Sequence, residues 1–369
     1  QFQFAGYYAA KEKGFYDEVG LDVQIKERDL KYNNIDEVIN GNAQYGVADS
    51  ILILYKLKQQ PVVIVTPILQ HSPSVFISLK KNNISSVYEL NNKDILFYPN
   101  DTDGFSLLAM IKKFNLDVNL IRERHKDDYI KLINNEVDVM PAYIGNEPFL
   151  LKEKAYDVNI INPSNYGFDI YGDILFTSED EAKNNPNRVE RFKEATLKGW
   201  EYALENKEEI IQLIKEKYAK DKAIEHLRYE ANAIDSLINK NVTPLGYLDQ
   251  GRIRYISEMY KYYGLTESKI DLNDFLFDEM SKEDKKISLT DEEIKYLKDN
   301  PILKVHNLDS LPPYNFNINN SPKGFVIDYM KLIGKLLNTQ VEFIQNKTWK
   351  ESLDMIQNNQ LDILPNIAI

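Results

Sequence analysis

The chain has 369 residues, of which 43% are hydrophobic and 28% charged, with a formal net charge of −12 and no cysteine. That supports two or three globular domains. It argues against nucleic acid and anionic lipid as partners, since both need a basic face. It excludes thiolate catalysis, Cys-ligated zinc and iron–sulfur clusters.

In chain order, FAGYYAAKEKG (4–14) reads as a helix stopped by Gly14. GLDVQIKER (20–28) alternates Leu21, Val23 and Ile25, the period of a half-buried strand. A helix is expected over 34–40, a strand over 44–49 and a helix over 51–58. The continuous β-branched run at 61–69 reads as a strand of a buried parallel sheet. Segments 75–80 and 94–98 are further strands, 104–114 a helix, and α/β alternation continues to about 177. From Asn185 to about Leu265 the pattern is helical. One apolar face carries Val189, Phe192, Thr196, Trp200 and Ala203. A second carries Leu227, Ala231, Ile234 and Ile238, and a third Ile253, Ile256, Tyr260 and Tyr263. Residues 266–300 read as a linker, charged over 279–300 and ending in a short helix capped by Thr290. A new α/β unit follows: strand 302–308, helix 326–337, strand 341–345, helix 352–359 and strand 361–369. No run of about 18 apolar residues is present to cross a bilayer. The chain opens on Gln1 without a strand ahead of its first helix, so it is read as an excised fragment with any signal peptide or anchor upstream.

Residues 37–50, 131–143 and 353–367 share a plan of helix, polar turn and strand ending in polar groups. Ligands of open α/β sheets sit at the carboxyl ends of strands, which points to Asp49, Ser50, Tyr143, Pro365 and Asn366. The alternative is that any α/β protein repeats such turns. Trp200 reads as core. His125, His226 and His306 lack metal-ligand spacing, so neither metal nor cofactor is expected.

The opening QFQFAGYYAAKEKGFYDEVGLDVQI, then GVADS (46–50), QHSP (70–73), AYIGNEPF (142–149), NPSNYGFDIYGDILFTS (162–178) and FKEATLKGWEYAL (192–204) carry a family resemblance in their order. Residues 1–265 resemble the substrate-binding proteins of the thiamine-pyrimidine-precursor and sulfonate type, in the branch found in sensor proteins. Residues 288–369 resemble the first half of an amino-acid-type solute-binding domain.

The resemblance implies an α/β, two-lobed periplasmic-binding-protein clamp of type II with a hinge. A partial second domain of the same class (301–369) follows the linker. One lobe would hold about 1–95 and 175–265, the other about 96–170, with hinge crossings near 95 and 173. It further implies the periplasmic sensor region of a membrane histidine kinase or diguanylate cyclase. The ligand would be a small polar or heteroaromatic molecule, of which a thiamine pyrimidine precursor is the one the family suggests. Membrane contact and any homodimer would come only through other parts of the parent protein. The alternatives are the binding component of an ABC transporter and an enzyme resembling thiamine pyrimidine synthase; the latter's Cys-rich iron motif is absent.

Such a cleft needs aromatic rings to stack and fixed donors and acceptors to read a ring edge. The candidates are Gln3 and Phe4 in the opening turn; Asp49 and Ser50, where Asp49 could instead cap the next helix; and Gln70, His71 and Ser72. The second lobe offers Tyr143, Asn146 and Glu147, the last two also readable as a structural turn. Tyr166, Asp169, Tyr171 and Asp173 cluster around Gly167 and Gly172, which would form the hinge.

Overall fold

The computed structural model describes residues 1–27, 32–99, 104–123, 127–278, 280, 290–308, 310–337 and 339–365. The chain forms two compact units, Gln1–Met280 and Ser281–Ile369.

In the first unit a short 3-10 turn, Phe2–Phe4, leads into α1 (Ala5–Glu12), and Gly14, at φ 76°, turns the chain into α2 (Phe15–Glu18). Residues 21–27 then run without a strand partner, contrary to the expectation for 20–28. Leu21 and Val23 do pack on the core. The alternation records which side faces the core, not whether a ladder forms. After α3 (Asn34–Ile39) come β1 (Tyr45–Ala48), α4 (Ile51–Leu57), β2 (Val62–Pro67), β3 (Ser74–Leu79) and β4 (Asp94–Phe97). Then follow α5 (Phe105–Lys113), β5 (Asn119–Arg122), α6 (Tyr129–Ile133), β6 (Val139–Tyr143), α7 (Glu147–Glu153), β7 (Val158–Ile161) and β8 (Ile174–Ser178).

The strands build two sheets, β1-β8-β2 and β5-β4-β6-β3-β7. β2 is buried throughout, but its neighbour β8 runs antiparallel to it. Its alternate residues enter two different cores, Val62 and Ile64 in one, Val63 and Val65 in the other. Burial on both faces explains the continuous apolar run; strand direction is not encoded in it. β3 pairs antiparallel with β6 and β7, so β3 and β4 both belong to the second sheet. The first crossing between the sheets therefore lies near 70–73, not near 95.

The two crossing segments are bonded together. Ile68 N and Leu69 N donate to Asp173 O at 2.8 and 3.1 Å, and Gly172 N donates to Leu69 O at 3.1 Å. A Cβ on Gly172 would lie 2.8 Å from His71 O and 2.9 Å from Leu69 Cβ, so only glycine permits this approach.

The helical layer follows: α8 (Glu179–Asn184), α9 (Pro186–Glu205), α10 (Lys207–Lys217), α11 (Ile224–Ile238) and α12 (Gln250–Tyr262). The expected apolar faces are buried, with Trp200 fully so and Tyr263 half-buried. α1 lies close along α9 because Gly6, Ala10 and Gly199 meet there; a Cβ on Gly6 would overlap the Trp200 ring. Residues 266–280, expected as the start of a linker, belong to this unit. Ile64 N donates to Phe275 O at 2.8 Å, and Leu272, Phe275, Leu276 and Phe277 are buried.

In the second unit Thr290 and Glu293 form a reciprocal cap on α13 (Asp291–Asp299). β9 (Ile302–His306) pairs parallel with β13 (Gln340–Ile344). Between them run a small antiparallel sheet, β10 (Ser310–Leu311), β11 (Asn315–Ile318) and β12 (Ser321–Lys323), and α14 (Phe325–Leu336). α15 (Trp349–Gln357) comes last. The small sheet was not anticipated from the sequence pattern. Of the strand expected over 361–369, the described residues keep one parallel bridge, Val305 to Ile363. Asn366 lies outside the described residues.

Candidate functional site

The strand ends next to the crossing gather the site. Ala48 pairs with Ile174, the last pair of β1 and β8. Asp49 and Asp173 therefore stand opposite one another, one residue past the ladder. Tyr143 ends β6, paired with Ser74 at the start of β3. Asp173 is 6% exposed, and its Oδ2 has no hydrogen-bond partner among the described residues. Burial, and then the charge of Asp49, push its carboxyl up to about 7. Burial raises the Tyr143 phenol well above its ordinary range, with added contributions from Asp173 and Asp49 and weaker ones from Tyr98 and Glu147. The Tyr7 phenol is raised by burial and then by Tyr16 and Asp173, against a smaller opposing pull from the neighbouring Trp200. Asp49 and Asp173 thus lie opposite each other, and the charge of Asp173 acts on both the Tyr7 and the Tyr143 phenol.

Tyr7 and Tyr98 were not among the sequence candidates. Tyr7 sits one helical turn beyond Phe4, with ring centroids 6.5 Å apart. Tyr98 directly follows β4, where the rule of strand carboxyl ends would have found it.

Other candidates are engaged elsewhere. Asp49 Oδ1 also accepts from Ile51 N at 2.8 Å, the capping role that had been the alternative. Ser50 is fully buried and donates to Tyr171 O at 2.8 Å. Gln70 Nε2 donates to Tyr247 O at 2.9 Å. His71 Nδ1 lies 2.8 Å from Asp169 Oδ1, and Arg252 reaches the same carboxylate at 3.0 Å. The Arg252 guanidinium also lies 4.3 Å from the centre of the buried Tyr171 ring, whose hydroxyl accepts from Asp249 N at 2.8 Å. These groups tie the crossing segments to α12 and the turn before it.

Ser72 Oγ accepts from Ser74 N at 3.3 Å, and Glu147 Oε2 accepts from Tyr143 N at 2.8 Å. Asn146 precedes α7 as its cap residue, without a side-chain cap bond. Gln3 and Phe4 are half-buried in the opening turn. Tyr166 packs on Phe114 and accepts from Val87 N at 3.2 Å, inside the second lobe. Gly167, at φ 91°, ends the 3-10 turn Pro163–Tyr166, so of the two expected hinge glycines Gly172 alone stands at the crossing.

The lobes also meet away from the crossing. Phe149 of α7 stacks on His226 of α11 with centroids 4.5 Å apart, and Gly145 abuts Glu230 and Ala233. Burial, and then Lys222, lower the His226 imidazole to about 4. Among the described residues no cluster suits a metal ion, and no helix is long and apolar enough to cross a membrane.

Comparison with known proteins agrees with this architecture. Residues 1–210 match the family model described as NMT1/THI5 like, and residues 303–369 match the bacterial extracellular solute-binding proteins, family 3. The riboflavin-binding protein RibY of Chloroflexus aurantiacus is 26% identical over 218 residues, 57% of this chain and 62% of that protein. A formylaminopyrimidine-binding protein of Halalkalibacterium halodurans is 24% identical over 215 residues, 56% of this chain and 64% of that protein. The chain thus spans less than two thirds of the length of these curated relatives. The periplasmic aliphatic sulphonate-binding protein SsuA of Escherichia coli superposes with a TM-score of 0.58 at 12% identity, covering 75% of this chain and 95% of that one. That likeness shows the periplasmic-binding-protein fold. Over more than half its length the chain matches a single family model, and it belongs to the NMT1/THI5-like family.

Proposed function

We propose that the first unit is an extracytoplasmic clamp for a small polar or heteroaromatic molecule, and that the chain is the sensing region of a membrane signalling protein of histidine kinase or diguanylate cyclase type. The observation that carries the binding reading is the buried, unpartnered carboxyl of Asp173, beside Asp49, Tyr7 and Tyr143 at the junction of two sheets. A buried polar group without a partner costs about 1–3 kcal/mol, and such a group at a cleft is one a ligand can complete. Relatives named for riboflavin and a formylaminopyrimidine favour a flat heteroaromatic ligand. The second unit, which matches another solute-binding family, favours sensing over transport. Ligand bridging both lobes would favour the closed form and so bias whatever is attached. The rival reading, a transporter's binding component, draws on fold neighbours named for sulfonates.

A thermal-shift screen with riboflavin, an aminopyrimidine and an alkanesulfonate tests the binding reading. A compound at 100 times its dissociation constant stabilises by about 2.7 kcal/mol. Failure of every class would remove the reading. Binding without compaction in solution scattering would remove sensing by closure.

A further inference from the structure

Where the lobes meet on α11, one buried ring carries the contact. His226 is 5% exposed, its ring stacks on Phe149 at an interplanar angle of 20°, and its Nε2 has no hydrogen-bond partner among the described residues. The turn between β6 and α7 presses on the same helix: a Cβ on Gly145 would stand 3.5 Å from Ala233 Cβ and from Glu230 Cγ. The imidazole also meets the Gly145 backbone, and Phe149 lies 5.4 Å from the Tyr229 ring.

The charges acting on the ring are Lys222, Glu230 and the Gln1 amine. Glu230 already serves the Gln1 amine at 2.6 Å, Phe2 N at 3.1 Å and Lys222 at 3.0 Å. On α7, Glu147 is turned to Tyr143 N. Two cations sharing one carboxylate leave no counter-ion for an imidazolium. Phe149 would attract a charged ring, but loss of water and the charge of Lys222 outweigh that and hold the imidazole neutral.

We propose that the seat of Phe149 and Gly145 on α11 is a proton-gated latch: a proton on His226 releases the β6–α7 turn and shifts the clamp towards an open form. The proposal takes from the clamp reading only that the lobes move on their crossing, and it holds for any ligand. The freed turn carries Tyr143, Asn146 and Glu147, so acid slackens one wall of the proposed cleft. Seated, the imidazole is held at about 4; released into water, it returns to 6.5. The seated form is therefore fully favoured above 6.5 and loses its advantage as pH falls towards 4.

Spin labels on Lys152→Cys of α7 and Ser236→Cys of α11, in a chain with no other cysteine, report the separation across the latch. In the full chain without ligand, the longer distances should gain on the shorter about tenfold or more between pH 7 and pH 5, with circular dichroism unchanged. His226→Phe keeps a ring against Phe149 but takes no proton, and should hold the short distance at both pH values. Asp173 and the Gln1 amine also change charge with pH, and this variant leaves both in place. Phe149→Ala should show the longer distances already at pH 7. The wild-type series does not depend on either variant folding. The same lengthening in His226→Phe, or lengthening only as circular dichroism is lost, would overturn the proposal. A distance constant in the wild type but longer in Phe149→Ala would overturn the gate and leave a moving clamp. A distance constant in the wild type and both variants would remove the latch together with closure of the clamp.

Discussion

The crossing and the cleft lie side by side and treat their polar groups in opposite ways. At the crossing His71, Asp169, Arg252 and Tyr171 form a connected set, and Ser50 and Gln70 bond to backbone carbonyls. At the proposed cleft the Asp173 carboxyl, 6% exposed, keeps an oxygen without a hydrogen-bond partner among the described residues. A satisfied network makes a rigid joint, whereas an unsatisfied one carries a free-energy cost that a ligand can relieve. Position near the hinge therefore does not identify a binding residue; the state of its hydrogen bonds separates joint from cleft.

Substitutions should divide along the same line. The largest effect is expected for Gly172→Ala, where the new Cβ meets His71 O at 2.8 Å. It should destabilise by about 2–3 kcal/mol in chemical denaturation, and a loss under 0.5 kcal/mol would show that the crossing is loosely built. Arg252→Ala removes both the partner of Asp169 and the cover of Tyr171. About 1–2 kcal/mol should be lost, with ligand affinity little changed; a large affinity loss would move Arg252 into the binding set.

Asp173→Asn should act with the opposite sign on stability, raising it by about 1 kcal/mol at pH 8 while weakening ligand binding. Its pH dependence follows from the raised carboxyl. In the folded state the protonated form is favoured, so this carboxyl's contribution to stability is fully present below 3.8, declines as pH rises and is lost through about 7. The gap between variant and wild type should be absent near pH 4, widen up to about pH 7 and stay flat above; a constant gap would deny that Asp173 is its source. Ser72→Ala should be smallest, within about 0.5 kcal/mol, because its bond to Ser74 N is long and half-buried.

The element order was legible in the sequence because apolar periodicity reports burial directly. The helical faces at Val189–Ala203 and Leu227–Ile238 pack as that periodicity requires. Strand partners were less legible. The run at 61–69 signals burial on both faces but carries no direction, and nothing in the pattern at 75–80 marks β3 as the first strand of the second sheet. Leu21 and Val23 face the core without a ladder. The tail at 272–277 carries four apolar residues in a stretch too short to show a period and followed by a charged run, yet Phe275 bonds and packs against β2. Asp49 and Tyr143 are legible as polar groups at strand ends, and Asp173 as part of the polar cluster around Gly172. Whether such a group is already satisfied depends on partners distant in sequence, as Ser50 and Tyr171 show across 121 positions.

Asp173 belongs to both regions at once. Its carbonyl holds Ile68 and Leu69 at the crossing, and its side chain points the unmet demand of the cleft. Grip and fulcrum are then separated by the bonds of a single residue. On the proposed reading, a guest that bonds this carboxyl would act at the pivot itself, with no intervening helix or loop to absorb the stroke.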